Sequence, residues 1–241
     1  SQLTRHKVRV ELNTRATAES LASGSYDEVV LATGVRPRTP SLQGITHRKV
    51  VSYLEVLTGA KHVGQSVAII GAGGIGFDVA EFLLHESHQE PQKLEDFLKY
   101  WGVDGALSTR GGIEGIRREI PKPPRKIHLL QRKEGRPGAG LGKTTGWIHR
   151  AQLKDMGVEM WGGITYRHID DQGLHIIRDG KPVTLPVDTV VICAGQDPLR
   201  ELEAGLKAKG LSPHLIGGAD VASELDAKRA IEQGTLLALK I

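Results

Sequence analysis

The chain has 241 residues, 32 Lys and Arg against 28 Asp and Glu, a net charge of +4 and one cysteine, Cys193. That length allows one large or two modest hydrophobic cores, and the small cationic surplus suits an anionic ligand but lacks the concentrated basic face that nucleic acid requires. A lone cysteine excludes an internal disulfide, a paired redox motif and a four-thiolate cluster; no apolar run reaches membrane-spanning length and no leader pattern opens the chain, so a reducing cytoplasm is the expected location.

The alternation Val8-Arg9-Val10-Glu11-Leu12 predicts a strand, and the apolar run 28–32 predicts a second. No glycine-rich turn precedes either. The second leaves through Ala32-Thr33-Gly34-Val35-Arg36-Pro37, a sharp exit with a proline stop. A crossover over 42–64 contains a short helix around 52–57.

Residues 67–84 organise the chain. Four apolar residues, Val67 to Ile70, read as a buried strand, followed by Gly71-Ala72-Gly73-Gly74-Ile75-Gly76 and an amphipathic helix. In Gly-x-Gly-x-x-Gly each glycine has its own physical task. Gly71 permits the tight turn, Gly73 lets a pyrophosphate approach the backbone, and Gly76 lets the helix pack close to the strand. The helix N-terminus then offers unpaired amides and a positive dipole end to phosphate. In this strand–turn–helix setting the motif points to a dinucleotide, with Gly74 among the contacts; a glycine-rich turn that binds nothing is the bland alternative.

Residues 86–125 are polar and rich in proline and glycine, which predicts an insertion with one helix at 94–101. A strand returns at 126–130 and ends in Gln131-Arg132-Lys133. Where a nicotinamide adenine dinucleotide site would carry an acid for the ribose hydroxyls, two cations suit a 2′-phosphate, which favours NADPH. The alternative is a pair of solvated surface cations. The assignment requires the insertion to loop out without disturbing strand order.

Gly138 to Thr144 contains Gly-Lys-Thr after a strand, close to a P-loop, but Pro137 stands where the first glycine belongs, which disfavours an NTPase. Lys143 and Arg150 are possible extra contacts. A helix is predicted over 144–156 with Gly157 as its stop. Short strands at 158–161, 164–169, 174–177 and 183–185 predict an antiparallel meander. Residues 189–193 form another apolar strand, leaving through Ala194-Gly195-Gln196-Asp197-Pro198. This exit echoes the one at Ala32 to Pro37 and suggests two nucleotide-binding domains. A helix over 199–207, a strand at 214–216 running into Gly217-Gly218-Ala219-Asp220, and a helix over 223–239 complete the chain. Asp220 could accept hydrogen bonds from sugar hydroxyls or serve as a charge at a helix start. His128, His149, His168 and His214 show no metal-ligand spacing, and no catalytic Ser/His/Asp set or carboxylate pair stands out.

These motifs together resemble the C-terminal third of the bacterial NADPH-dependent 2,4-dienoyl-CoA reductase family. The residues carrying the resemblance are 67–78, 129–133, Gly-Leu-Gly-Lys-Thr-Thr-Gly-Trp-Ile-His-Arg at 140–150, 190–197 and 214–234. The resemblance implies an α/β fold of two Rossmann-like dinucleotide-binding domains, an NADPH domain at 42–206 inserted in an incomplete FAD domain built from 1–41 and 207–241. It places Gly71, Gly73, Gly74, Gly76, Arg132, Lys133 and Gly195 on the NADPH face. Thr33, Gly34, Gly218 and Asp220, with Gly217, belong to the remaining FAD face. In the family, hydride passes from NADPH to FAD, and electrons continue through an iron–sulfur cluster and FMN to a dienoyl thioester in unsaturated fatty acid β-oxidation. The barrel that holds FMN and the cluster would be an N-terminal partner domain of the same parent chain. By this reading the chain is a fragment, with no catalytic acid, no membrane contact and no activity of its own on the substrate. Another FAD-dependent NAD(P)H oxidoreductase and a non-catalytic NADP-binding module are the alternatives.

Overall fold

The computed structural model describes residues 2–85, 93–223 and 226–241. The chain forms two compact units: a central one, residues 37–195, which in sequence interrupts a terminal one made of residues up to 36 and from 196 onward.

The terminal unit opens with α1 (Gln2–Arg5) and α2 (Ala18–Ser23), then β1 (Val30–Leu31) and β2 (Val35–Pro37). A capping box between Thr17 and Ser20 sets the start of α2. The strand expected at 8–12 does not form. All five residues are exposed, and alternation makes a strand only where a neighbour pairs its edge and a core takes its apolar face.

In the central unit β3 (Val50–Ser52) runs into α3 (Tyr53–Leu57), capped reciprocally by Ser52 and Glu55. Next come β4 (Ser66–Ile70) and α4 (Gly74–Leu84), then α5 (Leu94–Trp101) in the inserted stretch. β5 (Lys126–Leu130), α6 (Gly146–Asp155) and β6 (Glu159–Trp161) follow. β7 (Thr165–Asp170), β8 (Gly173–Arg178) and β9 (Lys181–Leu185) precede β10 (Thr189–Ile192). The chain then re-enters the terminal unit as β11 (Gln196–Pro198), α7 (Glu201–Ala208), β12 (His214–Leu215) and α8 (Ala227–Ala238). Of the expected insertion, residues 86–92 lie outside the described residues. Residues 224 and 225 of the expected last helix lie outside them too.

β3, β10, β4, β5 and β6 form one parallel sheet in that order. This is an α/β fold of the Rossmann kind. β7, β8 and β9 pair antiparallel. The meander therefore has three strands, not four: the run at 158–161 joins the parallel sheet as β6, because α6 provides the helical crossover that a parallel neighbour of β5 needs. Alternate residues of β4 go to opposite cores. Val67 and Ile69 pack with Phe77, Val79 and Leu153 of the helices, while Ala68 and Ile70 pack with Ile169, Leu174 and Ile176 of the small sheet. A strand buried on both faces reads as a continuous apolar run, which is why 67–70 was legible.

In the terminal unit β1 pairs parallel with β12, and β2 pairs with β11. Ala18, Val29, Leu31 and Leu206 form the buried cluster. The unit boundaries fall at 36/37 and 195/196, earlier than the 41/42 and 206/207 expected. Leu206 gives the reason for the second: it places α7 with α2 and β1. No helix among the described residues is long and apolar enough to cross a membrane.

His128 lies within β5, buried, its Nδ1 without a hydrogen-bond partner and 3.8 Å from the Glu159 carboxylate. Burial lowers its pKa below the ordinary 6.5, outweighing the attraction of Glu159. The fold thus disfavours the charged imidazole, which takes a proton more readily once unfolded. Its contribution is complete above the ordinary value and is lost as pH falls from there toward the depressed one. The urea midpoint is therefore expected to fall between about pH 7.5 and about pH 5.5, and to fall less in His128→Gln. An identical fall in the variant would remove His128 as a cause.

Candidate functional site

The candidate site is built at the end of β4, where strand order reverses. From β4 the chain fills one side of the sheet with β5 and β6, then returns to the other side as β10. Ligands of open α/β sheets bind outside the carboxyl ends of the strands at such a reversal. The sheet ladder runs up to the turn: the Gly71 amide donates to Leu130 O at 2.8 Å, and the Cys193 amide donates to Ile70 O at 2.8 Å.

The glycines divide into two kinds. Gly71 has φ +112°, and a Cβ there would lie 2.3 Å from the Cys193 carbonyl oxygen. A Cβ on Gly76 would lie 1.9 Å from the Gly71 carbonyl oxygen. Both are required by packing. Gly73 and Gly74 meet nothing within 4 Å. Gly73 caps α4 with no side-chain hydrogen bond, and the amides of Gly74, Ile75 and Gly76 have no acceptor within the helix. Open space above bare amides at a helix start fits a diphosphate.

β5 pairs with β4 so that Leu130 stands opposite Ile70. The inserted stretch therefore leaves strand order intact, and Arg132 and Lys133 sit just past the end of β5, both exposed, beside the turn. The spacing of some 20 residues between glycines and ribose position is usual; here the insertion lengthens it in sequence but not in space. Gln131 shapes this loop. Its Nε2 donates to Lys133 O at 3.0 Å and Gly135 O at 3.3 Å, and the Gly163 amide donates to Lys133 O at 3.0 Å. Spacing alone could not reveal Gln131, because its partners are main-chain atoms. On the other side of β4, Gly195 follows β10 with φ +97°. Its carbonyl accepts from the Arg38 amide at 3.0 Å, and the Arg38 guanidinium lies beside it. Arg38 is a cation that motif reading did not single out.

The P-loop-like stretch departs from a phosphate cradle. Two of its amides turn inward: Ala139 donates to Arg136 O at 3.3 Å and Leu141 to Gly138 O at 3.2 Å. α6 begins at Gly146, after Lys143 and Thr144 rather than at them. Arg150, expected as a possible ligand contact, donates to Gly138 O at 2.8 Å and holds the loop.

In the terminal unit, Thr33 and Gly34 follow β1, and Gly217, Gly218 and Asp220 follow its partner β12. Gly34 has φ +78° and open space where a Cβ would stand, while a Cβ on Gly218 would come within 3.0 Å of the Gly34 backbone. The Thr33 hydroxyl bonds Leu199 O. Gln233 of α8 donates to Asp220 Oδ2 at 2.8 Å and accepts from the Gly217 amide at 2.7 Å. The cap of α8 is Asp226, not Asp220, so a helix-start charge does not explain Asp220. The carboxylate is instead held at the strand exit, where a sugar hydroxyl could donate to it.

Residues 2–214 match the family model for pyridine nucleotide-disulphide oxidoreductases. The chain is 30% identical over 216 residues to a metal reductase of Desulforamulus reducens, an alignment covering 88% of this chain and 31% of that protein. Its fold is similar to that of 2-naphthoyl-CoA reductase in complex with 2-naphthoyl-CoA, with a TM-score of 0.75 and 23% identity over all of this chain and 31% of that one. It is similar also to 6-hydroxypseudooxynicotine amine oxidase of Pseudomonas geniculata N1, with a TM-score of 0.69 and 20% identity over 94% of this chain and 30% of that one. The chain thus spans about a third of the length of these proteins.

The two kinds of glycine are separable by stability. Gly76→Ala is expected to cost about 1–3 kcal/mol through overpacking against backbone. Gly74→Ala is expected to be neutral or to gain up to about 1 kcal/mol of helix propensity. Thermal unfolding checks both, and equal losses would contradict the division.

Proposed function

We propose a function that starts from one fact: the chain belongs to the pyridine nucleotide-disulphide oxidoreductase family. The family consists of NAD(P)H-dependent flavoprotein reductases, so FAD and a nicotinamide coenzyme are its cofactors. Within it, our reading is that this chain is the coenzyme-handling part of a larger NADPH-dependent 2,4-dienoyl-CoA reductase, working in the cytoplasm in the β-oxidation of unsaturated fatty acids. The observation that carries the coenzyme assignment is the pairing of an open glycine turn with two exposed cations at the end of the adjacent strand.

The residues then have separate tasks. The amides of Gly74, Ile75 and Gly76 bind the diphosphate, with Gly73 leaving room for it. Arg132 engages the 2′-phosphate through a planar fork and Lys133 adds a point charge. Gly195 lets the coenzyme pass close to the backbone after β10. In the terminal unit, Thr33, Gly34 and Gly218 line the flavin face and Asp220 accepts a sugar hydroxyl. FAD, when bound, supplies a two-electron acceptor for the hydride of NADPH. An N-terminal barrel of the parent chain, with FMN and an iron–sulfur cluster, would carry the electrons to the thioester. The acyl-CoA assignment is supported by the sequence resemblance and by a structural relative whose bound ligand is an acyl-CoA.

Calorimetric titration of NADPH beside NADH tests the coenzyme assignment. NADPH is expected to bind at least about tenfold tighter, the scale of one hydrogen bond between charged groups. The preference is expected to vanish in the double variant Arg132→Ala/Lys133→Ala through loss of NADPH affinity alone. Equal affinities in the unaltered chain would contradict the 2′-phosphate role.

A further inference from the structure

The small antiparallel sheet carries a side-chain cluster that the coenzyme reading leaves unused. Pairing of β7 with β8 sets His168 opposite His175. Asp170, two residues beyond His168, shares its face of the strand. His175 Nε2 lies 2.9 Å from Asp170 Oδ1, and His168 Nε2 lies 3.4 Å from Asp170 Oδ2. One ligand atom from each residue lies within 4.8 Å of the other two. In a tetrahedral site with metal bonds of about 2.0–2.1 Å, neighbouring ligand atoms stand about 3.3 Å apart. The two nitrogen–oxygen separations, each to a different oxygen of the Asp170 carboxylate, lie on either side of that value.

The surroundings support the same chemistry. His175 Nδ1 is 3.1 Å from Thr184 Oγ1 on β9, an outer partner that fixes the ring and leaves Nε2 toward the carboxylate. Asp170 Oδ1 also accepts from the amides of Gln172 at 2.8 Å and Gly173 at 3.3 Å, which hold the carboxylate in place. All three residues are half-buried. The two histidines and Thr184 form part of the wall of an open pocket of about 540 Å³, lined further by Arg167, Pro182 and Val183. In linear sequence His168 has no ligand spacing; the hairpin creates it.

We propose that His168, Asp170 and His175 bind one divalent transition-metal ion of the zinc type, with its remaining position open to water or an anion in the pocket. Two imidazoles and one carboxylate suit such ions better than magnesium or calcium, which take oxygen ligands. The rings of His168 and His175 stack with centroids 4.0 Å apart and planes 10° from parallel. Parallel rings point their in-plane lone pairs side by side. Binding therefore turns the rings out of parallel about the soft Cβ–Cγ torsion, and the stack opens.

The test is calorimetric titration of the chelator-treated chain with Zn²⁺, for the unaltered protein, His168→Gln, His175→Gln and the control His62→Gln, an exposed histidine outside the cluster. The expected result is one equivalent bound, with affinity at least about tenfold lower in each cluster variant and unchanged in the control. Imidazole NMR signals of His168 and His175 in the unaltered protein, which needs no variant to fold, are expected to shift with the first equivalent of Zn²⁺. Absence of stoichiometric binding, or binding that leaves those two signals unmoved, overturns the proposal. So does equal affinity in His168→Gln and the unaltered chain. The readout involves no coenzyme, so its outcome is independent of the reading of the glycine turn.

Discussion

Where β4 gives way to α4, two backbone segments come closer than any side chain allows. The Cys193 carbonyl crowds Gly71, and the Gly71 carbonyl crowds Gly76. This double close approach seats the first turn of α4 on the sheet. It also fixes where the helix axis points and therefore where its unpaired amides present themselves. Gly73 and Gly74, which need to be glycine for no packing reason, occupy the open side of the same turn. A turn tight on one side and bare on the other is what a diphosphate cradle needs, and the remaining features of the site are placed by the strands on either side.

Magnitudes rank those features. A helix start contributes about 0.3–1 kcal/mol to a nearby anion. A hydrogen bond between charged groups contributes about 1.5–3 kcal/mol. On the proposed reading the turn therefore admits a dinucleotide of either kind, and Arg132 and Lys133 would decide between them. Their effect depends on loop shape, and the loop is held by Gln131 and by the Gly163 amide rather than by the cations themselves.

Elements set by local chemistry were legible in the sequence. The helix at 94–101 and the strand at 126–130 have the limits expected of them, the first ending at Gly102 in a left-handed cap and the second being buried from Ile127 to Leu130. The glycine turn was legible because Gly71 and Gly76 each stand where a Cβ would meet a backbone carbonyl. What depends on partners distant in sequence was not. Residues 8–12 alternate without a strand to pair with, residues 158–161 pair with β5 rather than with β7, and α7 belongs with α2 through Leu206. The cluster of His168, Asp170 and His175 exists only through cross-strand pairing, so no spacing rule along the chain could show it.

The central claim is that bare amides at the start of α4 bind the diphosphate of a dinucleotide. It is tested most directly by following backbone amide NMR signals while NADP⁺ is added. The account requires the largest shifts at Gly73, Gly74, Ile75 and Gly76, saturating together with those of Arg132 and Lys133. Nucleotide binding that leaves the amides at 73–76 unmoved would contradict it.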